Sequence, residues 1–113
     1  MLKIIGAAIA AGALAIAIPS SAATTMLSSW YGPGFHGRLT ANGERYDMHG
    51  LTAAHKTLPF GTRLEVCYQG CTTVRINDRG PFIGDRELDL SYGAAKAIGL
   101  VSPGVAKVEV TYL

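Results

Sequence analysis

A carboxylate at the end of an apolar strand face is the first residue of this chain that invites chemistry. Arg63-Leu64-Glu65-Val66-Cys67 and Cys71-Thr72-Thr73-Val74-Arg75-Ile76 alternate with period two around Tyr68-Gln69-Gly70, a β-hairpin pattern with glycine where the turn needs positive φ. Continuing the alternation puts Asp78 on the face of Val74 and Ile76, where apolar surroundings disfavour the ionised carboxylate and raise its pKa. Such a group suits general acid-base work near neutral pH. The segment Asn77-Asp78-Arg79-Gly80 also suits an Asx turn, and Gly80-Pro81 ends the strand. Glu44 follows Asn42-Gly43 as a solvated loop charge would, and His55 follows Ala53-Ala54 as a hydrogen-bonded structural histidine would. Trp30 and Tyr31 stand at the end of a first strand, where aromatic rings either stack on a ligand or join the core. Asp89, in Leu88-Asp89-Leu90-Ser91, reads as structural, near a helix start that favours negative charge.

The elements that must position these residues follow from the same pattern. With Cys67 opposite Cys71, the hairpin register sets Val66 against Thr72 and Leu64 against Val74, giving one apolar face. It also sets Arg63 across from Arg75, a like-charge pair that needs Glu65, diagonal to Arg75, as its screen. Leu27 to Tyr31 is a strand closed by Gly32-Pro33-Gly34, 35–50 is a long ordered loop, and Leu51 to His55 is a short strand. Glu87 to Leu90 alternates, Ser91 caps a helix that runs through Ile98 and stops at Gly99, and Lys107 to Tyr112 closes the chain as a strand. Several short strands and one helix predict a mainly β domain, closed as a small barrel that leaves no sheet edge.

Apolar residues make up 49% of the 113 and charged residues 16%, but the apolar ones crowd the start. Lys3, the aliphatic run Ile4 to Ile18 and the small residues Pro19-Ser20-Ser21-Ala22-Ala23 have the layout of a secretory signal peptide over 1–23, too short to span a bilayer comfortably. The domain is therefore 24–113, secreted or periplasmic, and without a membrane anchor after cleavage. Cys67 and Cys71, an even pair in an exported chain, predict a disulfide. His36, His49 and His55 show no zinc-ligand spacing with them, so neither metal nor cofactor is expected. A net charge of +2, falling to +1 without Lys3, with the basic residues scattered, excludes a nucleic-acid binder.

Specific motifs go further. Ser29-Trp30-Tyr31-Gly32, Phe35-His36-Gly37-Arg38, Thr40-Ala41-Asn42-Gly43-Glu44, Leu51-Thr52-Ala53-Ala54-His55, Leu58-Pro59-Phe60-Gly61-Thr62, Arg75-Ile76-Asn77-Asp78-Arg79-Gly80-Pro81-Phe82 and Leu88-Asp89-Leu90-Ser91 follow one another in that order. Together they resemble the rare lipoprotein A family of septal lytic transglycosylases, whose double-psi β-barrel is related to those of expansins and barwin. The resemblance implies a six-stranded double-psi barrel, one or two short helices, a groove for peptidoglycan glycan strands, and a catalytic set matching Glu44, His55 and Asp78. In that reading Asp78 acts as acid and then base while the muramic C6 hydroxyl closes a 1,6-anhydro ring. Glu44 raises the pKa of Asp78 or positions the sugar, and His55 hydrogen-bonds a carboxylate. Trp30 and Tyr31 stack on sugar rings, and Arg38, Arg45, Lys56 or Arg79 meets the lactyl carboxylate of muramic acid. No cysteine directly follows the apolar run, so the lipid anchor of better-known members is not expected; nor is their C-terminal peptidoglycan-binding repeat, and the protein is expected to act as a monomer.

Two other classes compete: a wall-binding, expansin-like module that does not cleave, and a protease-inhibitor-like module that binds protein. A complete Glu44, His55 and Asp78 set favours the enzyme. Export predicts cleavage near Ala22 or Ala23, and the intact mass of the secreted protein checks it; retention of residues 1 to 20 contradicts it.

Overall fold

The computed structural model describes residues 23–113; the predicted signal segment lies almost wholly outside the described residues. Six strands form a closed barrel: β1 (Thr24–Tyr31), β2 (Thr52–His55), β3 (Arg63–Cys67), β4 (Cys71–Asp78), β5 (Leu88–Ser91) and β6 (Ala106–Tyr112). Around the barrel the order is β1-β5-β2-β4-β3-β6, with β6 returning to β1. The pairs β1–β5 and β2–β4 are parallel and the other four antiparallel. Closure pairs every strand on both sides, so no edge invites a further strand.

The hairpin register is the one the alternation predicts: Leu64 faces Val74, Val66 faces Thr72 and Cys67 faces Cys71, with a disulfide between the last two. Leu64, Val66, Val74 and Ile76 are fully buried, and with Leu88, Leu90, Val108 and Val110 they fill the barrel. Burying each such side chain contributes about 1.5–3 kcal/mol. Arg63 does stand opposite Arg75, but Glu65 is not the screen. Glu44, from the loop before β2, pairs with Arg75 instead.

Helix α1 (Tyr92–Ile98) begins and ends where its caps predict. Ser91 Oγ accepts from Ala94 N at 3.2 Å, and Gly99 adopts φ 82, a left-handed conformation that suits glycine. Ala94, Ala95 and Ile98 close one end of the core. Gly93 lets the helix approach the loop before β2, because a Cβ there would sit 2.7 Å from the His49 carbonyl oxygen. The stretch 35–50 is an ordered loop pinned by Tyr46, which is 2% exposed. Its hydroxyl donates to the Tyr31 carbonyl at 2.6 Å and accepts from Tyr92 N at 3.1 Å.

A second expectation is overturned. Ala53 pairs with Ile76, yet the next residue, Ala54, pairs with Asp78, so Asn77 is an extra residue, a β-bulge in β4. The insertion reverses parity. Asp78 lies on the side of Ala54 and not with the buried Val74 and Ile76. On that outer side a single row crosses four strands: Asp78, Ala54, Asp89 and Ser29.

Because the core fixes the hairpin register, the five-residue disulfide loop adds little. The double variant Cys67→Ser/Cys71→Ser should keep the barrel and lose about 2 kcal/mol or less; urea denaturation measures it, and unfolding of the variant in buffer contradicts it.

Candidate active site

The bulged row opens onto a cleft of about 310 Å³ whose lining includes Tyr31, Ala54, Asp78, Arg79 and Asp89. Phe35, Pro81, Phe82 and Ile83 form apolar walls, and Phe82 and Ile83 are 77% and 62% exposed at the rim. Asp78 is held from two directions. Its Oδ1 accepts from Ala41 N at 2.8 Å and from Arg79 N at 2.9 Å, while Oδ2 faces the Tyr31 hydroxyl at 3.5 Å.

Asp89 is the residue that residue-by-residue reading missed. Between two core leucines it looks structural, but alternation turns it outward into the cleft, two strand spacings from Asp78, or roughly 10 Å between Cα atoms. Burial pushes its carboxyl up to about 6, with the charge of Asp78 adding to the rise; the Ser29 hydroxyl, donating at 3.0 Å, and Arg86 pull the other way. The period-two pattern of Glu87 to Leu90 held the signal: the residue between two core positions of a strand that pairs on both sides must face the second surface.

Glu44 does not line the cleft. Its carboxylate accepts from Arg75 at 2.7 and 3.0 Å, from Asn77 Nδ2 at 3.0 Å and from Asn42 Nδ2 at 3.0 Å. These donors hold it well below the usual carboxylate range, at about 2. Glu44 thus ties the Thr40–Glu44 loop to β4, and that loop supplies the Ala41 N–H that fixes Asp78. His55 also lies outside the cleft lining. Its Nδ1 accepts from Thr57 N and Leu58 N, both at 3.1 Å, which leaves the ring proton on Nε2. Burial holds its pKa below the ordinary value. No hydrogen bond joins Glu44, His55 and Asp78 to one another among the described residues.

Arg79 is in the cleft wall. Its guanidinium stacks 4.0 Å from the Phe60 ring centroid, and Nη1 donates to the carbonyls of His55 and Leu58 at 3.2 and 2.9 Å. Among the described residues it makes no salt bridge, which leaves its remaining N–H groups for an anion. Arg38 packs at 5.6 Å over Phe35 at the rim. Trp30 points elsewhere: its indole N–H donates to the Val101 carbonyl at 3.3 Å and its ring leans on Tyr92 beside the core. Tyr31 lines the cleft, but its ring is stacked on Tyr46 at 4.4 Å and meets Phe35 edge-on, so it presents a hydroxyl more than a ring face. The grouping of Glu65 with Cys67 and Cys71 is no metal site, since both sulfurs are in the disulfide. No helix among the described residues is long and apolar enough to cross a membrane.

A closed six-stranded barrel with two parallel pairs and an acidic cleft on its bulged side is a double-psi β-barrel, and solved structures of that type resemble it. The Streptomyces papain inhibitor matches with a TM-score of 0.66 at 22% identity, over 85% of this chain and 98% of the inhibitor. A mutant expansin of Clavibacter michiganensis in complex with cellohexaose matches with a TM-score of 0.63 at 18% identity, over 80% of this chain and 50% of the expansin. At those identities the likeness is one of fold. The model of the lytic transglycolase family matches residues 23–110, and the chain belongs to that family. It is 62% identical over 85 residues to the probable endolytic peptidoglycan transglycosylase RlpA of Synechocystis sp., covering 73% of this chain and 26% of that protein. It is 54% identical over 85 residues to the endolytic peptidoglycan transglycosylase RlpA of Campylobacter jejuni, covering 73% and 31%. The chain thus spans about a quarter to a third of the length of these relatives.

The two shifted carboxylates act on stability with opposite signs. Asp89, raised above its unfolded value, binds its proton more tightly when folded, so its contribution is present at low pH and lost as pH rises through about 6. Asp89→Asn should therefore be more stable than the parent at pH 7 by about 2 kcal/mol and gain nothing at pH 3. Glu44, held at about 2, stabilises above the ordinary carboxylate range and loses that as pH falls through about 2. With its side chain 40% exposed, Glu44→Gln should cost only about 1 kcal/mol at pH 7. Chemical denaturation across pH checks both signs.

Proposed function

We propose that this barrel is a peptidoglycan lytic transglycosylase domain that cleaves the MurNAc-GlcNAc bond outside the cytoplasm and leaves 1,6-anhydro-muramic ends. One observation carries the reading: in a chain of the lytic transglycolase family, two carboxylates share one cleft, and burial raises the pKa of one of them, Asp89, to about 6. The fold alone would not suffice, since unrelated activities share it.

The reaction needs a proton on the leaving glycosidic oxygen and a base for the attacking hydroxyl. The family resemblance gives both duties to Asp78; with two carboxyls in one cleft, we divide them. Asp89 donates its proton to the glycosidic oxygen as the bond to the anomeric carbon breaks. The C6 hydroxyl of the same muramic residue attacks that carbon, forms the anhydro ring and passes its proton to Asp78. The proton moves from one carboxyl to the other and returns through solvent, so no activated water is consumed. Glu44 and His55 act at one remove. Glu44 braces the loop that fixes Asp78, and His55 orders the turn whose Leu58 carbonyl holds Arg79. Arg79 then meets the lactyl carboxylate of a peptide-free muramic acid, with Phe35, Phe82 and Ile83 against the apolar parts of the sugars.

Digestion of purified peptidoglycan, with mass spectrometry of the released muropeptides, tests this reading. Anhydro-muramic products are expected from the parent. Folded Asp78→Asn and Asp89→Asn variants should each lose at least about a hundredfold in turnover. Arg79→Ala should weaken binding to peptide-free glycan and reduce its salt sensitivity. Binding without products would instead identify a wall-binding module, and wild-type turnover by Asp89→Asn would remove that residue from the mechanism.

A further inference from the structure

The Tyr31 hydroxyl is a third polar group of the cleft with no duty in the reaction as written. The residue is the last of β1, where a side chain could swing outward, yet it is clamped. Tyr46 stacks on its ring at 4.4 Å with 21° between planes, Phe35 meets it edge-on at 5.7 Å, and the Tyr46 hydroxyl holds its carbonyl at 2.6 Å. Tyr46 is itself fixed by Tyr92 N, so the clamp extends to the start of α1. Two aromatic rings and a helix terminus aim one phenol at Oδ2 of Asp78, the oxygen that no main-chain N–H engages.

We propose that Tyr31 is a positioning residue for the carboxylate pair, its hydroxyl donating to Oδ2 of Asp78 and so keeping the negative charge of the cleft on Asp78 and the proton on Asp89. A contact of 3.5 Å is long for an O–H···O bond, so the hydroxyl can also lend itself to a substrate oxygen that enters between the two carboxyls. Burial and the charge of Asp78 raise the Tyr31 pKa further above its ordinary value, which keeps the phenol a donor throughout the working pH range. The charged and titratable groups around this assembly are Asp78 and Arg79 from the end of β4, Asp89 from β5, Arg86 before β5, and Tyr46 from the loop. None of the others gives Asp78 Oδ2 a hydrogen bond. The catalytic side of this proposal rests on the transglycosylase reading; the division of charge does not.

Tyr31→Phe separates the hydroxyl from the ring, because phenylalanine preserves both aromatic contacts. Titration of the side-chain carboxyl carbons by NMR, on the full chain, should show the Asp89 midpoint moving down by about half a unit or more in Tyr31→Phe, as Asp78, left without its phenol donor, competes for the proton that Asp89 otherwise keeps. On peptidoglycan the same variant should lose about tenfold in kcat with KM nearly unchanged, and its pH profile should shift in the direction of the Asp89 midpoint. An unchanged Asp89 midpoint in the folded variant overturns the proposal, as does a shifted midpoint with undiminished turnover in a protein whose parent is active. If the parent releases no anhydro products, the transglycosylase reading fails by itself, and the titration still decides whether Tyr31 divides the charge.

Discussion

The extra residue at Asn77 reverses which side of the barrel the next side chain faces, and the cleft follows from that reversal. In an unbroken strand Asp78 would follow Val74 and Ile76 into a core with no donor for a carboxylate, where isolation costs far more than a bulge does. Displaced to the other side, it lands in line with Ala54 and Asp89. The small side chain of Ala54 between the two acids leaves the space that a larger residue would fill.

A cleft of this kind works against the stability of the domain that carries it. Asp89 is held in apolar surroundings that disfavour its anion, and its partner acid adds repulsion. The compensation lies just outside. Glu44, Arg75, Asn77 and Asn42 form a network in which the carboxylate is satisfied by several donors, and this network ties the long loop down over the bulge. Arg75 stands opposite Arg63 in the hairpin register, a like-charge flaw, and takes its anion, Glu44, from outside the hairpin. Natural proteins keep such local conflicts where they serve a site.

Much of the architecture could be read from local pattern. The hairpin register follows from alternation and one glycine-bearing turn, and the helix limits follow from Ser91 and Gly99, because each depends on neighbours within a few residues. The seven motifs also led to the barrel and its family. The bulge could not be read, since one inserted residue leaves no mark in a pattern that ends at the same point. The counter-ion of Arg75 lies 31 residues away in a loop without periodicity, and no side-chain spacing could announce it. Asp89 was obscured by a local explanation, the helix start, that competed with its place in a strand paired on both sides. Tyr31 was legible as a cleft residue, but its neighbours Tyr46 and Phe35, which decide whether ring or hydroxyl is presented, come together only in three dimensions.

The hydrogen bond from Ser29 to Asp89 spans 60 positions and joins the first strand to the fifth. Parallel pairing of β1 with β5 requires most of the chain to be present before that contact exists. A nascent polypeptide emerging from its N-terminal end therefore carries Tyr31, Glu44 and His55 long before it carries the acidic cleft. The two acids become neighbours only after β5 has inserted between β1 and β2, so the acidic cleft comes into being with barrel closure and cannot precede it. Topology here acts as a timer: the order of synthesis separates the making of the parts from the making of the site.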